Sequence, residues 1–182
     1  MKQDIKELRI DEDGVRHINI HPEGNTELGK LLSHFPHTPF THPFLGPFRS
    51  MEGFWYYMRS GENLVPAGDR DDQLRYLIGY SAKAHGKNRP LVRYPDFRED
   101  VMAANYQKII QNVELKEMVI ESELPFVQYY VVKKSGMIVK PLEHEWLCEG
   151  FEKIREALKF DQVPLCWSNA EKRYSMNVTD QV

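Results

Sequence analysis

The sequence predicts one α+β domain, mostly helical, with short β-hairpins. Two observations carry that expectation. Apolar residues recur at helical spacing in several stretches between Thr26 and Leu158, and β-forming residues gather in short runs broken by turn residues. The composition agrees: 182 residues, 41% hydrophobic and 28% charged, describe an ordinary globular chain. A chain of this length folds as a single domain over 1–182 and buries roughly 70% of the surface its unfolded form exposes.

Residues 5–10 (IKELRI) and 15–20 (VRHINI) are β-like and joined across Asp13-Gly14, a turn dipeptide, so 1–24 reads as an N-terminal hairpin. Thr26 to Leu32 is a short helix capped by Asn25 or Thr26. The loop from Ser33 to Pro47 carries Pro36, Pro39, Pro43 and Pro47, which argue against regular structure there. A loop this long in a compact domain tends to be functional, and five phenylalanines from Phe35 to Phe54 argue that it is ordered. Ser50 is a suitable N-cap for a helix ending near Gly61. Asp69 to Ala84 reads as a third helix, with Leu74, Leu77 and Ile78 inward. Pro95 opens a fourth that runs to Gln111, and Val113 to Glu121 forms a fifth. Phe126 to Val132 and Met137 to Val139 make a hairpin across Lys133-Lys134-Ser135-Gly136. Glu143 to Leu158 is the last helix, and 159–182 reads as an irregular tail.

Charge and cysteine content exclude several classes. A net charge of −3 gives no protein-wide basic field for gripping nucleic acid, although a local basic patch is allowed. No apolar run nears the ~20 residues of a spanning helix, so no membrane partner is expected. The start, MKQDIKELRI, lacks the apolar core of a secretory signal. Cys148 and Cys166 have no metal spacing, and a reducing cytoplasm is the default compartment. His34, His37 and His42 are the obvious metal candidates, but prolines interrupt them and no helix or cysteine pair fixes their spacing; no metal and no cofactor are expected. Neither GxxxxGK[ST], GxGxxG nor GxSxG is present, which leaves phosphate-loop, dinucleotide-fold and serine-nucleophile chemistry without support.

The carboxylates are the better candidates. Glu52 sits in the first turn after Ser50, ahead of Phe54-Trp55-Tyr56-Tyr57 and beside a histidine-bearing loop. It either complements the helix dipole or forms the floor of a small-molecule pocket. Glu143 opens another helix, with Trp146 one turn later; two such acids serve as nucleophile or base and as acid if the fold unites them. A helix start is expected to hold an acid ionised, which suits a nucleophile or an oxocarbenium stabiliser. Lys83 and Lys87 flank a helix C-terminus, either as dipole complement or as point charges for phosphate.

The order of these features resembles the NADAR superfamily, the YbiA-like fold. Leu32-Ser33-His34-Phe35-Pro36 is similar to its Ser-Asn-Phe-x-Pro loop, and Ser50-Met51-Glu52 to its acid-bearing helix start. Ala82-Lys83 with Gly86-Lys87, and the series Pro95-Asp96-Phe97, Met102, Ala104, Lys108, Gln111-Asn112 and Leu115, follow in family order. Glu143, Trp146 and Gly150 resemble its final segment. The resemblance spans Leu32 to Leu158, within a NADAR-like core over 25–158, and describes a divergent member. His34 replaces an asparagine, Gly53 a histidine, Phe97 a tryptophan and Glu143 an aspartate, and a glycine-rich segment is largely missing. It implies hydrolysis of an N-glycosidic bond in an ADP-ribosyl or related ribosylated nucleotide or base, with nucleic acid as one carrier of that base. Through an oxocarbenium-like state, Glu52 is the implied catalytic carboxylate and Glu143 orients water or ribose. Lys83 and Lys87 hold phosphates, Trp146 or Phe97 stacks on a base, and Ser33, His34, Phe35 and Trp55 line the site. The lost histidine and glycines keep a second expectation open: a module that sequesters an NAD- or ADP-ribose-like nucleotide without turnover.

Overall fold

A computed structural model describes residues 8–70 and 72–179. It is an α+β fold in which helices carry the core and, among the described residues, three two-stranded ladders decorate it. In chain order the elements are β1 (Ile18–Asn19), α1 (Glu27–Leu32), β2 (Phe40–His42), β3 (Gly46–Phe48), α2 (Met51–Arg59), α3 (Gln73–Tyr76) and α4 (Gly79–Gly86). They continue with α5 (Phe97–Ile110), α6 (Val113–Glu121), β4 (Phe126–Val127), β5 (Tyr130–Val132), β6 (Met137–Val139), α7 (Glu145–Lys159) and α8 (Leu165–Thr179). Among the described residues no helix is long and apolar enough to cross a membrane.

Two helices hold the centre. On α2, Met51, Phe54, Tyr57 and Met58 are fully buried. Burying an apolar side chain of this size contributes about 1.5–3 kcal/mol, so the aromatic run anchors the helix whatever its propensity. Along α5 every residue from Asp100 to Ile109 is buried, because α2, α6, α7 and α8 surround it. The 3.6-residue period from Phe97 to Ile109 therefore marks only part of a helix that is covered on all sides.

Several expectations hold in detail. Thr26 caps α1 by accepting a bond from the Gly29 N–H. Ser50 caps α2 and Gly61, at φ +81°, ends it. α6 has the expected bounds. β5 and β6 form a hairpin as expected, turning through Gly136 at φ +68°, but its first strand is Tyr130–Val132 only, the predicted run from Phe126 being split between β4 and β5.

Others are corrected. Of the N-terminal hairpin, Ile5 to Glu7 lies outside the described residues, and Ile10–Glu12 is a 3₁₀ turn rather than strand. Ile18–Asn19 pairs in parallel with Phe126–Val127 instead. The reason is Asp13, whose carboxylate accepts the Asn19 N–H at 2.9 Å and the Asn25 N–H at 2.6 Å and folds the segment back on itself. The proline-rich loop contains the β2–β3 hairpin, turning through Gly46 at φ +82°. Its outer edge at Thr41 is closed by the Gln111 side-chain amide, which bonds both backbone groups of Thr41 at 2.8 Å. A two-stranded ladder closed in this way tolerates Pro47.

The third predicted helix is two, α3 and α4, broken at Leu77–Ile78. Leu77 is extended, its carbonyl accepts the Ser50 hydroxyl at 2.9 Å, and Gly79 turns the chain at φ +47°. Asp71, within the predicted span, lies outside the described residues, and Ile78 is exposed rather than inward. The fourth helix begins at Phe97, not Pro95, and the last predicted helix at Glu145, with Glu143 in a preceding 3₁₀ turn. The tail is helical: α8 lays Trp167 and Ala170 into the core along α5, where Arg173 ion-pairs with Glu99 and with buried Asp100.

Candidate active site

The N-terminus of α2 is built by three bonds. The Ser50 hydroxyl accepts the Gly53 N–H at 3.1 Å while donating to Leu77, and the Glu52 N–H donates to the His34 carbonyl at 2.8 Å. The last of these ties the Ser33–Phe35 loop to the head of α2. Behind that loop, Lys108 of α5 is fully buried, and its Nζ donates to the carbonyls of Leu31 (3.0 Å), Leu32 (3.1 Å) and Ser33 (3.3 Å). The ammonium thus occupies the negative end of α1 and satisfies carbonyls that a helix terminus leaves open.

Glu52 stands on the floor of a cavity of about 940 Å³. That is the upper end of the size range of small-molecule sites. Trp55, Tyr56 and Arg59 extend the floor along α2; Ser33, His34 and Phe35 make one wall, and Tyr80 and Lys83 of α4 another. The β5–β6 hairpin and the turn before α7 close the far side, with Tyr130, Lys133, Lys140, Glu143 and His144 among its lining. Gly86 explains how Lys83 arrives there. A Cβ at Gly86 would stand 2.2 Å from the Tyr56 ring, so α4 packs hard against α2 and presents Lys83, one turn earlier, to the cavity.

Glu52 is 7% exposed, and burial pushes its carboxyl up to about 7, opposed in part by the positive charge of Lys83. This corrects the expectation that a helix start keeps the acid ionised. Removal from water outweighs the favourable end of a nine-residue helix, whose dipole contributes only about 0.3–1 kcal/mol to a nearby charge. An acid poised near neutrality suits proton transfer. His34 is pushed down to about 3 by burial, then by the positive charges of Lys108 and His144, so its ring is neutral. Burial also lowers His144. The thiols of Cys148 and Cys166 are pushed up to about 12 and about 11 by burial, which leaves them unreactive.

Of the residues singled out from the sequence, Glu52, Glu143, Ser33, His34, Phe35, Trp55 and Lys83 line this one cavity. Glu143 is exposed on its rim. Lys87, Phe97 and Trp146 are outside the lining. Lys87 is exposed just beyond α4, whereas Phe97 meets Trp55 edge-on at 5.0 Å and Trp146 stacks parallel to it at 6.1 Å, so both aromatics brace Trp55 from behind. The sequence reading missed Tyr56 and Arg59, although their spacing of four and seven from Glu52 places them on its helix face. It also missed Tyr80, Lys133, Lys140 and His144, which reach the site through tertiary placement with no local signal. His42 belongs to the core, its Nδ1 accepting the Leu45 N–H at 3.2 Å beside Phe54 and Trp167. Among the described residues no group of three His, Cys, Asp or Glu side chains is placed to hold a metal ion.

Gly53 is required by packing. A Cβ there would lie 2.2 Å from the Leu74 carbonyl oxygen, and backbone cannot yield as a flexible side chain would. Gly53→Ala is expected to cost about 1–3 kcal/mol, read as a lower midpoint in denaturant unfolding; an unchanged midpoint would contradict the close approach of α3 to α2. No family model, curated protein or solved structure matches the chain.

Proposed function

We propose that this cavity hydrolyses an N-glycosidic bond of an ADP-ribosyl or related ribosylated nucleotide or base, and that the chain is a divergent NADAR-superfamily member of the YbiA-like type. The observation that carries the reading is a largely buried carboxyl group on a cavity floor at the head of α2, with a lysine in the same cavity. As the C1′–N bond breaks, its electron pair leaves with the base, which takes up a proton from solvent. The ribosyl carbon gains oxocarbenium character, which the Glu52 carboxylate stabilises. Water attacks that carbon and gives its proton to Glu52, which releases it to solvent and returns to the carboxylate; a group poised near neutrality suits this exchange. Lys83 holds a phosphate as a point charge, and Glu143 on the rim orients the water or a ribose hydroxyl.

A module that sequesters such a nucleotide without turnover is the second reading. Gly53 in the place of the family's histidine favours it, since no side chain fits there. Incubating the protein with NAD, ADP-ribosyl-guanosine and a nucleotide pool, followed by mass spectrometry, separates the two. Release of free base with a ribosyl product supports hydrolysis. A raised melting temperature with NAD or ADP-ribose and no cleavage supports the binding module; neither effect contradicts both readings.

A further inference from the structure

Two histidine nitrogens at this cavity lack a partner. His34 Nε2 and His144 Nδ1 are buried and make no hydrogen bond among the described residues. The two side chains come from separate elements, the 33–35 loop and the turn before α7, yet both line the cavity and both rings abut the same indole. His34 lies 5.4 Å from Trp55 and His144 6.0 Å, centroid to centroid. A buried polar atom left unmatched costs about 1–3 kcal/mol. Among the described residues ten buried polar atoms are unmatched in this way, Gln128 Oε1 of the cavity lining among them, and these two converge on one aromatic wall where a bound group can complete their hydrogen bonding.

The chemistry of the wall limits what that is. A neutral imidazole offers one donor and one acceptor and no charge. His34 is held in that form by burial and by the neighbouring Lys108 and His144. Anionic groups are better served elsewhere in the cavity, at Lys83 and Arg59. What remains for the wall is a flat, uncharged group with polar atoms on its edge, which the aromatic surroundings of Trp55 and Phe35 accept on its faces. We propose that His34 and His144 form a specificity subsite that reads the edge of an uncharged heterocyclic base beside Trp55. This inference rests on the reading of the cavity as a ribosylated-base site and names which part of the ligand meets which wall.

The test compares binding of GMP, CMP and ribose 5-phosphate by isothermal titration calorimetry. His34→Phe and His144→Phe keep a ring against Trp55 and remove the polar nitrogens. The parent is expected to bind one of the nucleotides at least ten-fold more tightly than ribose 5-phosphate. Each variant is expected to lose about ten-fold on that nucleotide while ribose 5-phosphate binding stays unchanged. Should His34→Phe fail to fold, His144→Phe at the half-buried rim position decides. Equal binding of all three probes by the parent, no binding of either nucleotide, variants that keep parental nucleotide affinity, or equal losses on nucleotide and sugar phosphate would each overturn the subsite. Base-dependent binding lost in the variants without any N-glycoside cleavage leaves the subsite standing and removes hydrolysis. Cleavage that persists with no base discrimination does the reverse.

Discussion

Glu52→Gln is expected to lower N-glycoside hydrolysis by about 10²–10⁴-fold while leaving the fold intact. Glutamine has the shape of the protonated acid, and the bonds that build the head of α2 use the backbone of residue 52 and the side chain of Ser50, so the substitution spares them. What it removes is ionisation, and with it both the charge facing the ribosyl carbon and the acceptor for the water's proton. Stability carries an independent signature. Folded Glu52 keeps its proton up to about pH 7, whereas the unfolded chain releases it near the ordinary 4.5. The folded state therefore binds more protons between those values, and the stability linked to this group is lost as pH rises through the window. The glutamine variant escapes that loss. It is expected to match the parent at pH 4 and to exceed it at pH 8, by about 3 kcal/mol at most. Unfolding curves at the two pH values check this, and parental turnover by the variant would remove Glu52 from the chemistry.

Lys108→Met is expected to be the most damaging change to the site's scaffold. The methionine fills similar space but leaves the carbonyls of Leu31, Leu32 and Ser33 without their donor in a buried place. Relief of the burial cost of the ammonium, which lowers Lys108 to about 7, offsets part of the loss. A net cost of about 3 kcal/mol follows, or roughly 6–12 °C in the melting temperature of a chain this long. The effect reaches the cavity because the same carbonyls lead into Ser33, His34 and Phe35, and the His34 carbonyl holds the Glu52 N–H. Ligand binding is expected to weaken along with the melt. An unchanged melting temperature would show that the ammonium does not hold this turn.

What the sequence discloses about the molecule follows the range of each cause. The cap at Ser50, the stop at Gly61, the bounds of α6 and the turn at Gly136 rest on residues close in sequence, and all are legible. The break between α3 and α4 has its cause 27 residues away, where the Ser50 hydroxyl claims the Leu77 carbonyl. A helical reading through Leu77 sees no conflict. α8 is hidden because α5, which it packs along, is covered on every side and shows no vacant apolar face, and because exposed Phe160, Val163 and Leu165 blur any apolar stripe in the tail. At the site, the placement of Glu52 and Lys83 is legible from their helix positions, and the state of the acid is not. That state depends on burial, which the loop, α4 and the β5–β6 hairpin impose from distant parts of the chain.

The most direct measurement is a titration of the Glu52 carboxyl carbon by ¹³C NMR, assigned by the signal that vanishes in Glu52→Gln. A midpoint near pH 7 in the folded protein, moving to about 4.5 on unfolding, is the expected result. A midpoint near 4.5 in the folded state would place the group in open solvent and contradict the buried acid on which the chemistry depends.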